Sequence, residues 1–267
     1  MARLGFVTGR MGAALLACAP LAADEASPPR TGKDGSWNLE ASLGVQVGTE
    51  SSTSWMLPAP KSSPLVDLNF QHGRFFASGR RGVGWELVQD SRLTVAAGLG
   101  CVPGRREPED DRLRGLGDVP ASPALAATFD WHPLGDFLHA YLSLVKATRS
   151  GSGSPQTAGI TLGFPVGGRV NGFLDLSQTW GDRNFVQRFF GVDSSQSASS
   201  RYPVFRPGAG RVNGAAVLGL ATPVARKWSL VGTLGHTWLL GDCARSPIPA
   251  RRHHATASLA VKFSIHP

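Results

Sequence analysis

Ser36-Trp37-Asn38-Leu39-Glu40-Ala41-Ser42-Leu43-Gly44-Val45-Gln46-Val47 alternates without a fault along its length. Trp37, Leu39, Ala41, Leu43, Val45 and Val47 fall on one side of an extended chain, and Ser36, Asn38, Glu40, Ser42, Gly44 and Gln46 on the other. Successive strand side chains point to opposite faces, so this is a strand with one apolar and one polar face. The polar face is the informative one. It carries small neutral groups and a single Glu, where the outside of a soluble sandwich would be dense with Lys and Glu.

The pattern returns along the chain. Val66, Leu68 and Phe70 stand against Asp67, Asn69 and Gln71; Val83, Trp85 and Leu87 against Gly84 and Glu86. Leu93, Val95, Ala97 and Leu99 oppose Arg92, Thr94, Ala96 and Gly98, and Leu125, Ala127, Phe129 and Trp131 oppose Thr128 and Asp130. Leu138, Ala140, Leu142 and Leu144 oppose His139, Tyr141 and Ser143. Further strands are expected at 157–164, 169–180, 211–221, 228–239 and 255–263, with a short one at 74–77. No segment keeps the 3.6-residue period of a helix.

Apolar residues turned outward to lipid and small polar ones turned to a lumen are the signature of a transmembrane β-barrel, whose tilted strands need about 9–11 residues. Lipid offers no partner for edge backbone groups, so the sheet has to close. The fold class is therefore all-β: a closed antiparallel transmembrane β-barrel of about twelve strands, or ten if 74–77 and its partner are lost. Connection lengths agree, with short links at 71–73, 89–91, 132–136, 165–168 and 222–227 alternating with longer ones at 48–64, 102–123, 148–156, 181–210 and 241–254. Only 78–82 is brief in the second set. Short turns belong on the periplasmic rim and long loops outside the cell. Trp37, Trp131, Trp180, Trp228 and Trp238 fall near strand ends, where interfacial belts lie.

Composition narrows the rest. The 267 residues include 33 Gly, only 17% are charged, and the net charge is +8. Residues 1–23 read as a signal peptide, with Arg3 and Arg10 ahead of an apolar core and Leu21-Ala22-Ala23 at the cleavage site. Residues 24–35 form a periplasmic linker, 36–263 the barrel and 264–267 a C-terminal extension, which places the chain in the outer membrane. Leu15-Leu16-Ala17-Cys18 also has the look of a lipobox, although Arg10 is close and such triplets arise by chance. An exported barrel does not meet nucleic acid. Arg80-Arg81, Arg105-Arg106, Arg112 with Arg114, and Arg251-Arg252 form separate clusters, reading as loop charges facing an anionic surface such as outer-membrane lipid. Cys101 and Cys243 can pair or stay as thiols after cleavage.

The chain resembles the MipA/OmpV family of outer-membrane proteins, the MltA-interacting proteins, from about residue 35 to Phe263. The likeness is carried by Arg188-Phe189-Phe190-Gly191-Val192, Ser195-Gln196-Ser197, Tyr202-Pro203-Val204-Phe205, Gly208-Ala209-Gly210, Trp228-Ser229-Leu230, and Leu239-Leu240-Gly241-Asp242 leading to Ser246-Pro247-Ile248. Phe75-Phe76, Gly82-Val83-Gly84 and Leu113-Arg114-Gly115-Leu116-Gly117-Asp118 are similar to the family's N-terminal half. The chain departs in running past Phe263 and in placing Cys243 after Asp242. The resemblance implies a barrel and, for some members, a scaffold joining a murein hydrolase to a murein synthase.

Catalytic readings fare poorly. Adjacent His253-His254 with Cys243 lacks ligand spacing for a closed metal site, and no metal or cofactor is expected. His236 has outward parity, with Gly214, Ala216, Leu218, Ala257 and Leu259 as outward neighbours and no hydroxyl to act as nucleophile. His139 and Ser143 share a face but stand about 13 Å apart at ~3.3 Å per residue. Phe185, Phe189, Phe190, Tyr202 and Phe205 are expected to anchor loops over or into the lumen. Glu40, Asp67, Glu86, Arg92, Asp130, Asp175 and Lys262 have lumen-facing parity. At about twelve strands the pore is narrow or plugged. The leading reading is a non-enzymatic scaffold or interaction protein linked to murein turnover; a narrow channel for small solutes and a lipid-modifying enzyme are its rivals.

Overall fold

A computed structural model describes residues 37–48, 62–79 and 81–265. The signal peptide, Cys18, the 24–35 linker and the last two residues of the C-terminal extension lie outside the described residues. Twelve strands close one antiparallel barrel in sequential order, β12 pairing back onto β1. They are β1 (Trp37–Gly48), β2 (Ser62–His72), β3 (Phe75–Ser78), β4 (Gly82–Gln89), β5 (Leu93–Val102), β6 (Ser122–Trp131), β7 (Leu138–Ala147), β8 (Pro155–Gly167), β9 (Val170–Gly181), β10 (Gly210–Ala225), β11 (Trp228–Leu239) and β12 (His253–Ile265). The short 74–77 segment survives as β3 because it pairs on both sides, Phe75 with His72 and with Trp85.

Which solvent each face meets is settled by exposure. Val66, Leu43 and Leu234 are 72%, 66% and 62% exposed on the outer surface, while Glu86 and Asp175 are 2% and 0% exposed on the inner one. A soluble body could not leave such a continuous apolar surface in water; around a closed sheet it is the lipid-facing band of an outer-membrane barrel. On β11 the girdle residues Trp228 and Trp238 are ten positions apart, about 25 Å of membrane height once ~3.3 Å per residue is tilted by ~40°.

Some strands outrun their sequence boundaries. β8 and β10 continue through Pro165 and Pro223, where the ladder shifts register and no partner needs the missing N–H. β12 continues two residues beyond Phe263 because Ser264 and Ile265 still pair with Glu40 and Leu39. Two helices also interrupt the β9–β10 loop: α1 (Arg183–Phe190) and α2 (Ser194–Ser199). Asp182 and Asp193 start them by accepting from the amides of Phe185 and Gln196.

Candidate functional site: a polar lumen beneath a folded loop core

The largest buried apolar cluster lies at the extracellular end of the barrel, not in its wall. Phe185, Val186, Phe189 and Phe190 of α1 join Leu113, Leu116 and Val119 from the β5–β6 loop, Val192 and Tyr202 from the β9–β10 loop, and Cys243 and Ile248 from the β11–β12 loop. They pack onto Val102, Ala124, Val145, Val212 and Leu239, inward residues at the ends of five strands. Each buried aromatic or aliphatic side chain contributes about 1.5–3 kcal/mol, enough to hold three loops as one body.

Polar ties lock the loops together. Arg105 Nη1 donates to the Phe189 carbonyl (3.1 Å), Ser246 Oγ to the Phe190 carbonyl (2.7 Å), and Gln196 Nε2 to the Leu116 carbonyl (2.7 Å). The carbonyls at the α1 C-terminus have no intrahelical partner, so Arg105 and Ser246 cap it. Phe205 and Val192 bridge their backbones across the same loop. Gly115 is required where it stands: φ is +82° and a Cβ would sit 2.0 Å from the Ser199 carbonyl oxygen. Asp242 accepts from the Gly208 amide at 2.8 Å and pairs with Arg245, and these bonds, the amide first, hold its carboxyl below the usual range. Burial, and secondarily Arg188, pushes the Arg105 guanidinium down to about 10. Burial, and secondarily Asp242, pushes the Cys243 thiol up to about 12.

Of the motif residues, Phe189, Phe190, Gly191, Val192 and Tyr202 are buried within this body, with Gly241, Asp242, Ser246 and Pro247 at its edge and Pro203 exposed. Cys243 is a free, buried thiol and is therefore not paired with Cys101.

Below the loop core the lumen wall is a chain of polar contacts. Gln71 Nε2 donates to Glu86 at 3.1 Å, and Arg81, folded in from the β3–β4 turn over the Phe76 ring, lies 3.8 Å from Glu86 and reaches Thr128 at 3.4 Å. His139 Nε2 lies 3.1 Å from Asp130, and its ring stacks on His132 at 4.4 Å and 5°. Burial, then the neighbouring His139, lowers the pKa of His132 in the β6–β7 turn. Tyr141 and Thr161 donate to the two oxygens of Asp175 at 3.3 and 2.8 Å. Across the barrel Lys262 and Glu40 close the β1–β12 seam at 3.0 Å. Asp67 accepts from Asn69, whereas Arg92 sits exposed in the turn before β5, on the periplasmic rim. Parity placed the acids on one face but said nothing of their partners. The pairs Asp130–His139 and Tyr141–Asp175 arise from inter-strand register, and the reach of Arg81 from a turn conformation.

His253 and His254 diverge, the first outward beside His236 and the second buried on the inner face. The imidazole of His139 is engaged by Asp130, and the buried Ser143 hydroxyl has no partner.

Residues 41–265 match the family model described as MltA-interacting protein MipA. No curated protein matches the sequence. Among solved structures, an outer membrane channel from Pseudomonas putida F1 is 14% identical with TM-score 0.43, covering 90% of this chain and 100% of that one. The NanC porin is 8% identical with TM-score 0.39, covering 85% and 98%. OmpT, an outer membrane protein of Vibrio cholerae, is 11% identical with TM-score 0.33, covering 84% and 76%. These likenesses are too slight to carry a functional inference.

Proposed function

The chain belongs to the MltA-interacting protein MipA family, and from that premise we propose that it is a non-enzymatic outer-membrane scaffold that presents its periplasmic rim to enzymes of murein turnover, a murein hydrolase and a murein synthase. The observation that carries this reading is the buried loop core: a mouth filled by side chains with almost no exposure suits a structural platform better than a pathway for solute.

Docking has to use the rim, because the periplasmic turns are short. The β6–β7 turn is suited to it: Leu134 and Phe137 stand 64% and 62% exposed there, where partner contact would bury them. In the test, the detergent-solubilised barrel is immobilised and offered purified murein hydrolase and murein synthase. Retention of either, lost in the L134A/F137A double variant, is expected. Failure to retain both enzymes would overturn the scaffold.

A narrow channel is the second reading, favoured by the polar lumen wall. Planar-bilayer recordings separate the two. The scaffold gives no discrete steps, and the channel gives ohmic ones.

A further inference from the structure

Charge in the strands is sorted by face. Every described strand acid, Glu40, Asp67, Glu86, Asp130 and Asp175, belongs to the inward set. The outward set carries a different charge at the extracellular end of β7–β12. Lys146 is exposed there, in register with outward Leu125; Arg211 is exposed in register with Trp180; His236 and His253 are exposed on β11 and β12. No outward Asp or Glu accompanies them among the described residues.

The histidines are organised with the aromatic girdle. His236 lies 5.6 Å from His253 and 6.0 Å from Trp238, each at an interplanar angle of 28°. The Trp238 indole lies flat over Gly214, where a Cβ would approach it to 2.6 Å. Directly below, Ala216 and Ala255 flank His236 in register, and Ala257 flanks Leu234. The result is a shelf of rings at headgroup depth above a shallow strip of small side chains at acyl depth. A basic group on the lipid face is strongly disfavoured at mid-bilayer and tolerated near the interface. Placement beside Trp180 and Trp238 is where such groups are tolerated and where they meet lipid headgroups.

We propose that this girdle is a binding site for a phosphorylated glycolipid of the outer leaflet. Lys146 and Arg211 hold its phosphate groups by charge-assisted hydrogen bonds. The imidazoles of His236 and His253 donate N–H to phosphate or sugar oxygens. Trp180 and Trp238 border the headgroup, and an acyl chain packs along Ala216, Ala255 and Ala257. The site uses lipid-facing residues and stands independently of the scaffold role.

The full-length barrel in detergent is titrated with bisphosphorylated lipid A and with the same lipid stripped of phosphate, following tryptophan fluorescence. Wild type is expected to bind the bisphosphorylated form at least tenfold more tightly. The K146Q/R211Q/H236Q/H253Q variant is expected to lose that preference while keeping heat-modifiable gel migration, and R211K alone to keep most of it. H72Q, at the periplasmic end, is the control and should change nothing. Equal affinity of wild type for both lipids, or a preference retained in the folded quadruple variant, would overturn the proposal. If the quadruple variant fails to fold, the R211Q/H236Q pair is read in its place.

Discussion

Phe189→Ala is the sharpest way to ask whether three loops form one cooperative body. Phe189 is 2% exposed, its ring lies 5.0 Å from Phe185 at 51°, and its neighbours come from three separate loops. Truncating such a ring costs about 3–5 kcal/mol, including an aromatic-pair share of ~0.5–1.5 kcal/mol. If the loop core opens locally without unfolding the barrel, that loss appears as an open population larger by roughly 10² to 5 × 10³-fold. Limited trypsin digestion reads it at Arg188 when opening and reclosing are fast, because that residue lies half-buried in the last turn of α1 and has to leave the helix to be cut. Phe129→Ala, on the lipid face at 40% exposure, should leave cleavage unchanged. Equal cleavage rates in F189A and wild type, with the barrel still heat-modifiable, would show that the loops are not held by this core.

Three further outcomes follow from the same body. Gly115→Ala forces a Cβ against the Ser199 carbonyl at φ +82° and should raise loop cleavage through a loss of about 1–3 kcal/mol. The Cys243 thiol, pushed up to about 12 by burial, should stay unlabelled by maleimide at pH 8 in wild type and become labelled in F189A. Asp242 titrates below its unfolded value of 3.8, so its contribution is complete above that pH and is lost as pH falls through the lower folded value. Acid-induced cleavage by pepsin should therefore show a step that Asp242→Asn abolishes.

The barrel was legible because its signal is periodic and its solvent reversed: β1, β5, β6 and β11 alternate so cleanly that facing follows from parity alone. α1 was not, since eight residues hold barely two turns and Phe185, Phe189 and Phe190 read equally well as loop anchors. That they were anchors was visible; that Arg105 and Ser246 cap the helix they sit on was not, because those partners come from 84 and 56 residues away. Lumen residues divide likewise. The inward position of Glu86, Asp130 and Asp175 is a local property, while their pairing with Arg81, His139 and Tyr141 depends on register, which no single strand encodes. Ends were blurred where Pro and Gly sit on a strand, as at Pro165 and Pro223, because those residues signal turns yet are tolerated where the ladder shifts.

Nitroxide labels placed singly at Gly232, Thr233, Leu234, Gly235 and His236 of the bilayer-reconstituted protein ask what the two faces touch. Oxygen, which partitions into hydrocarbon, should collide most with the label at 234 and least with those at 233 and 235, where a water-soluble nickel chelate or steric shielding dominates instead. A label at 234 shielded from both quenchers, as in a dry protein interior, would contradict the lipid-facing barrel outright.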